Sequence, residues 1–368
     1  MSIFSSIEPI SQWLVAGNNL PVIAGPCSVE SREQLISTAK ELALIPNLTA
    51  FRCGLWKPRT RPGGFEGVGE KGLPWIKEIQ ERFGLNVCVE VATPEHIEMC
   101  LKAGIDFFWI GARTTGNPFS VAELCEAIKG TNVPVLIKNP MTPDLKLWSG
   151  TVERFFNAGC RRLIAVHRGF DINRNDSYRN SPYWEITIEM QRLFPELPLF
   201  CDPSHIAGKR AFLQEISQKA LDLNFKGLMI ESHINPEKAL TDKEQQVTPN
   251  ELQQLLNNLK VRDNASELLP NEYISLLRKN IDAIDNELLH ILSKRMEIVD
   301  KMAEVKRENN LTILQINRWN EVLKNVSDLA VELGLDQEFV QHLMGLVHNE
   351  SIRIQNTIIN KKHTDDEK

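Results

Sequence analysis

Residues 86–112 read NVCVEVATPEHIEMCLKAGIDFFWIGA. Two short runs, NVCVEVA (86–92) and FFWIGA (107–112), flank the helical stretch PEHIEMCLKAG (94–104). Both runs are rich in Val, Ile and Phe and too short for independent helices, so they read as strands. The same alternation continues outward in both directions. PVIAGPC (21–27) and LTAFRCG (48–54) precede this unit; VPVLIKN (133–139), RRLIAVH (161–167), PLFCD (198–202) and GLMIE (227–231) follow it. Helical stretches such as SREQLISTAKELALI lie between strands. Eight such repeats in about 250 residues predict an α/β fold of the (β/α)8 barrel type in preference to a doubly wound sheet. The last barrel helix is expected at TPNELQQLLNNL, with Thr248 as N-cap, Pro249 as first helical residue and Glu251 completing a capping box.

Beyond the barrel the pattern changes. NLKVRDNASELLP (258–270) reads as a polar linker, and from Asn271 to Leu333 there is no Gly or Pro. Apolar residues recur with helical spacing from Leu277 through Ile281, Ile284 and Leu288 to Val305. A helix of ~35 residues would be roughly 50 Å long at 1.5 Å per residue. An independent domain of about 100 residues has a radius of gyration near 13 Å. So long a helix overshoots any core the segment can build alone, which predicts a partner helix on another subunit. Two further helices are expected near 314–332 and 336–359, with Gly334 as the stop between them. The expected division is a barrel over 1–260, a linker over 261–270, an all-α three-helix domain over 271–360 that dimerises, and a frayed tail over 361–368.

Of the 368 residues, 42% are hydrophobic and 24% charged, and the net charge is −6. That balance suits a soluble globular protein and argues against a nucleic-acid or anionic-membrane surface. Seven cysteines without a C-x-x-C pair suit a reducing cytoplasm. The N-terminus has no signal-peptide pattern, and no apolar run approaches the roughly 20 residues of a membrane span.

In a barrel of this kind, polar residues at the C-terminal ends of strands carry the chemistry. The ends supply Arg52, Lys57, Arg59, Thr60, Arg113, Lys138, His167, Arg168, Asp202, His205 and Glu231, with Glu90 inside the third strand and Asp242 further on. Six cations at one mouth of an acidic chain call for an anionic ligand, and more than one phosphate suits their number. Cys27 alone reads as a buried hydrophobe. With His205, Glu231 and Asp242 it makes a mixed S/N/O set suited to a divalent transition metal such as Mn, Fe, Co or Zn.

GPCS, KPRT, GAR, the lysine ending the fifth strand, HRG, DPSH and ESHINPEKALTDKEQQ together resemble 3-deoxy-D-arabino-heptulosonate 7-phosphate (DAHP) synthase. The match is to its smaller class, related to 3-deoxy-D-manno-octulosonate 8-phosphate (KDO8P) synthase. The KDO8P enzymes carry an Asn-containing stretch where this chain has Lys57-Pro58-Arg59-Thr60. They remain the alternative, with arabinose 5-phosphate as substrate. The resemblance implies condensation of phosphoenolpyruvate with erythrose 4-phosphate, the first step of the shikimate pathway. It implies phosphoenolpyruvate held by Arg52, Lys57, Arg113, Lys138 and Arg168, and the aldose phosphate by Arg59, Thr60 and Asp202. Cys27, His205, Glu231 and Asp242 would bind a divalent ion, manganese first, with Fe, Co, Zn and Cd as alternatives. Lys138, Lys57, Cys27 and His205 would be catalytic.

Residues 272–358 resemble the all-helical chorismate mutases at Arg278, Arg295, Lys306, Arg318, Ser351 and Gln355. The resemblance implies rearrangement of chorismate to prephenate in an intertwined homodimer, with a tetramer as the larger alternative. Trp319 and Gln315 stand where the family has acids that contact the substrate hydroxyl, so a purely ligand-sensing domain is the competing reading. Because several steps separate DAHP from chorismate, the fusion predicts feedback. Prephenate or chorismate would inhibit the synthase, and phenylalanine or tyrosine would have little direct effect.

Overall fold

The computed structural model describes residues 4, 6–14, 20–57, 63–172, 177–262 and 272–360. Arg59, Thr60, the linker beyond Arg262 and the tail 361–368 lie outside the described residues. Two compact units are present, Met1–Asn264 and Ala265–Lys368.

In the first unit eight parallel strands close in sequence order: β1 (Val22–Gly25), β2 (Leu48–Cys53), β3 (Val87–Val91), β4 (Phe107–Ile110), β5 (Val135–Lys138), β6 (Leu163–His167), β7 (Leu199–Cys201) and β8 (Gly227–Glu231). Register pairs Gly25 with Glu231 across the closing seam and Glu90 with Trp109. The helices are α1 (Arg32–Leu42), α2 (Leu73–Phe83), α3 (Pro94–Ala103), the single turn α4 (Ala112–Thr115), α5 (Pro118–Ile128), α6 (Leu145–Asn157), α7 (Trp184–Leu193), the short α8 (Pro203–Ala207), α9 (Leu213–Asp222) and α10 (Pro249–Asn258). All eight expected strands form, but several are shorter than their apolar runs. β1 stops at Gly25 because Pro26 has no N–H to continue the ladder. Thr248 caps α10 through the expected capping box, its Oγ1 accepting from Glu251 N while the Glu251 carboxylate accepts from Thr248 N at 2.7 Å.

Strand side chains alternate between two cores. Residues such as Val22, Val89 and Ile137 face the helix layer. Ile23, Ala50, Cys88, Trp109, Leu136, Val166, Phe200 and Met229 fill the barrel, and Trp13 packs against Phe107 at its N-terminal end. One step further along the inward register stand Arg52, Glu90, Lys138, Arg168, Asp202 and Glu231. Period-two alternation therefore stacks a charged layer directly on the apolar one.

The second unit contains α11 (Glu272–Glu308), α12 (Ile316–Glu332) and α13 (Gln337–Ile359). Gly334, at φ +68°, ends α12 in the left-handed conformation that favours glycine. Every residue of α11 from Glu272 to Ile291 is exposed, including Leu277, Ile281, Ile284 and Leu288. Its buried residues, Val299, Ala303 and Lys306, all lie in the last third.

Candidate active sites

A cavity of 430 Å³ opens at the C-terminal mouth of the barrel, lined by Arg52, Lys57, Glu90, Arg113, Lys138, Arg168 and other polar residues. Trp109 underlies it: the Arg52 guanidinium stands 4.9 Å and the Lys138 ammonium 5.8 Å from its ring centre. Such placement over an indole face favours cations. The cations do not stand together unrelieved, as the sequence reading expected. Arg52 donates to Glu231 Oε1 at 3.1 Å, Lys138 to Asp202 Oδ2 at 2.7 Å, and Lys57 lies 3.6 Å from Glu90 Oε2. The inward register that delivers the cations also delivers acids, so the rim alternates in charge.

Unspent donors remain. Nε and Nη1 of Arg52 are buried and have no hydrogen-bond partner among the described residues; Asp202 Oδ2 is 3.9 Å from Nη1. Burial pushes the Lys138 ammonium down against the pull of Asp202. Lys57 moves the other way: burial opposes its charge, but Cys27 and Glu90 raise it.

Cys27, Glu231 and Asp242 bring one ligand atom each within 4.8 Å of one another. Cys27 Sγ donates to Asp242 Oδ2 at 3.2 Å, and Cys27 N to Gln246 Oε1 at 3.0 Å. Burial and Glu231 push the thiol up. A thiol between two carboxylates is a poor arrangement until a cation joins them; a divalent ion reverses the sign and deprotonates the sulfur. Asp242 is held at φ +45°, a conformation costing of order 1–3 kcal/mol for a residue other than glycine. The donor set thus fits a soft-tolerant divalent metal. His205 falls outside this group: its Nδ1 is 2.8 Å from Asp202 Oδ2 and its Nε2 3.7 Å from Glu231 Oε1.

Of the HRG motif, Arg168 lines the cavity, but His167 faces the helix layer among Trp148, Phe170, Trp184 and Phe225. Burial pushes its imidazole down to about 3.

Sequence reading missed a supporting layer. Arg179 donates to Asp242 Oδ1 and Gln245 Oε1, both at 2.8 Å, and Gln245 Nε2 donates to Glu231 Oε2 at 2.7 Å. Asn180 accepts from Arg168 at 2.9 Å and donates to the His205 carbonyl at 2.6 Å. Nothing in the sequence beside Arg179 and Asn180 marks these roles; both residues line the cavity.

In the helical unit, Arg295 donates to Ser351 Oγ at 2.6 Å. Gln355 Nε2 donates to the Ser351 carbonyl at 3.3 Å, and Lys306, buried, donates to the Ile313 carbonyl at 2.5 Å. Arg278 is exposed on the first third of α11. Arg318, also exposed, pairs with Glu321 at 3.0 Å.

Comparison with known proteins agrees with this architecture. The profile described as the DAHP synthetase I family matches residues 8–267, and that described as chorismate mutase type II matches residues 277–356. The chain is 31% identical over 239 residues to phospho-2-dehydro-3-deoxyheptonate aldolase of Thermotoga maritima, covering 65% of this chain and 68% of that one. The crystal structure of the Thermotoga maritima DAHP synthase superposes with a TM-score of 0.61 at 30% identity, covering 68% of this chain and 72% of that one. The 2-dehydro-3-deoxyphosphooctonate aldolase of Geobacter sulfurreducens is 25% identical over 261 residues, 66% of this chain and 92% of its own. No helix among the described residues is long and apolar enough to cross a membrane. The protein belongs to the DAHP synthetase I family and carries a chorismate mutase type II domain after its barrel.

Proposed function

We propose that residues 1–260 condense phosphoenolpyruvate with erythrose 4-phosphate and water to give DAHP and inorganic phosphate, and that residues 271–360 convert chorismate to prephenate. The observation that carries the first reading is the buried Arg52, with two nitrogens lacking hydrogen-bond partners among the described residues, beside Lys138 and Arg168 on the cavity wall. These residues, with Lys57 and Arg113, hold the carboxylate and phosphate of phosphoenolpyruvate. C3 of phosphoenolpyruvate bonds to the aldehyde carbon, the water oxygen adds at C2, and the bond from C2 to the phosphate oxygen breaks. Lys138, made more acidic by burial, gives its proton to the forming hydroxyl. Asp202 orients Lys138 and His205, and with Arg59 and Thr60 it receives the aldose phosphate. Cys27, Glu231 and Asp242, with His205 beside them, would hold manganese or another divalent ion, which supplies Lewis-acid polarisation of the aldehyde.

For the second domain, the rearrangement needs no nucleophile; cations that hold the compact dianion suffice. Arg295, Lys306, Ser351 and Gln355 form that site, joined by Arg318 and by Arg278 of a second copy. The bare apolar face of α11 supports a dimer. Prephenate or chorismate bound in the Arg295 site would inhibit the synthase. The deciding experiment is an assay of the purified chain with phosphoenolpyruvate and either erythrose 4-phosphate or arabinose 5-phosphate. Turnover of arabinose 5-phosphate alone would replace this reading with the KDO8P one.

A further inference from the structure

The helical unit holds a histidine outside the proposed mutase residues. His348 and Gln355 lie seven residues apart on α13, two helical turns or about 10 Å along the axis. Each has a buried polar atom with no hydrogen-bond partner among the described residues: Nε2 of His348 and Oε1 of Gln355. Between them sits Ser351, bonded to Arg295. Spacing of three and four residues puts all three side chains on one face of the helix. Buried polar atoms are nearly always satisfied in folded proteins. Two orphans on one face, next to a buried Lys306 and a half-buried Arg295, describe a surface waiting for a ligand with both charged and uncharged polar groups.

The His348 ring is fixed. Trp319 of α12 stacks on it with centroids 4.0 Å apart and planes 13° from parallel. That sandwich blocks one ring face and leaves the ring edge, with Nε2, as the part able to bond. Burial, Arg295 and Lys306 all push the imidazole below its ordinary range, which favours its uncharged form. A neutral imidazole beside two cations does not add to their grip on carboxylates. Its single hydrogen bond suits an alcohol.

We propose that His348, oriented by the Trp319 stack, is a substrate-contacting residue of the mutase site, and that its Nε2 bonds the ring hydroxyl of chorismate. The proposal rests on the mutase reading. If the wild-type chain formed no prephenate, that reading would fail before His348 came into question.

The test uses the full-length chain with chorismate, following prephenate formation in wild type and in His348→Leu and His348→Gln. Leucine keeps an apolar body under Trp319 and removes the hydrogen bond; glutamine restores a polar group at similar reach. The expected result is a fall of about tenfold in kcat/KM for His348→Leu, the size of one hydrogen bond of about 1.4 kcal/mol. His348→Gln should recover to within about threefold of wild type. Both variants should keep the wild-type melting temperature and the condensation activity of the barrel. A His348→Leu enzyme as active as wild type would overturn the proposal. So would equal losses in both variants, since that would make the ring a packing element only.

Discussion

The Lys138 ammonium lies 2.7 Å from Asp202 Oδ2, and neither side chain is more than 6% exposed. β5 and β7 are not neighbours in the barrel, so this bond spans its interior. Asp202 also faces His205 at 2.8 Å and Arg52 at 3.9 Å. One carboxylate thus orders three groups of the proposed site.

Replacing Asp202 by Asn should release Lys138 and His205 together. The expected effect is a loss of at least 100-fold in the condensation rate, consistent with the 10²–10⁴-fold scale of positioned acid–base groups. Steady-state kinetics with phosphoenolpyruvate and erythrose 4-phosphate would show it. A loss below tenfold would remove Asp202 from the machinery.

His167 sets an acid limit on stability. Its folded value of about 3 lies below the ordinary 6.5, so between those values the unfolded chain binds the extra proton. Stability should therefore fall as pH drops below ~6.5, by up to about 1.4 kcal/mol per unit from this group. The His167→Leu variant should lose that part of the slope between pH 6 and 4 in denaturant titrations. An unchanged slope would show that the ring is protonated in the fold.

Chelation should abolish condensation, and added manganese should restore it in wild type but not in Cys27→Ala. The variant should also bind the metal at least tenfold more weakly by calorimetry, through loss of one ligand. Full activity of the chelated variant would defeat the assignment.

Leu277, Ile281, Ile284 and Leu288 stand exposed on one face of α11. Ile281→Glu with Ile284→Glu should convert a dimer to monomers in sedimentation experiments, because two buried charges without partners cannot be accommodated at an apolar interface. A sedimentation coefficient unaffected by both changes would place the dimer contact elsewhere.

Arg295→Ala should cut prephenate formation by at least 100-fold and remove inhibition of condensation by prephenate, while uninhibited condensation persists. If the variant bound no prephenate in equilibrium dialysis yet stayed fully inhibited, the sensor would not be this site. Inhibition by phenylalanine alone would end the feedback scheme.

The sequence alone determined the eight strands, the capped α10 and the three long helices. Strand period, capping residues and glycine stops act over a few residues, and each is complete within its own segment. It also identified most residues of the barrel mouth, since polar residues at or just beyond the C-terminal ends of barrel strands gather there. Only the tertiary structure decided how these groups meet. Cys27 and Asp242 are 215 residues apart yet within 3.2 Å. Barrel closure sets which acid each cation meets, turns His205 toward Asp202, and brings Arg179 onto Asp242 and Asn180 onto Arg168, contacts that no nearby sequence names. The pairing of charges and the stacking of Trp319 on His348 depend on distances between segments, and a linear pattern contains none of those distances.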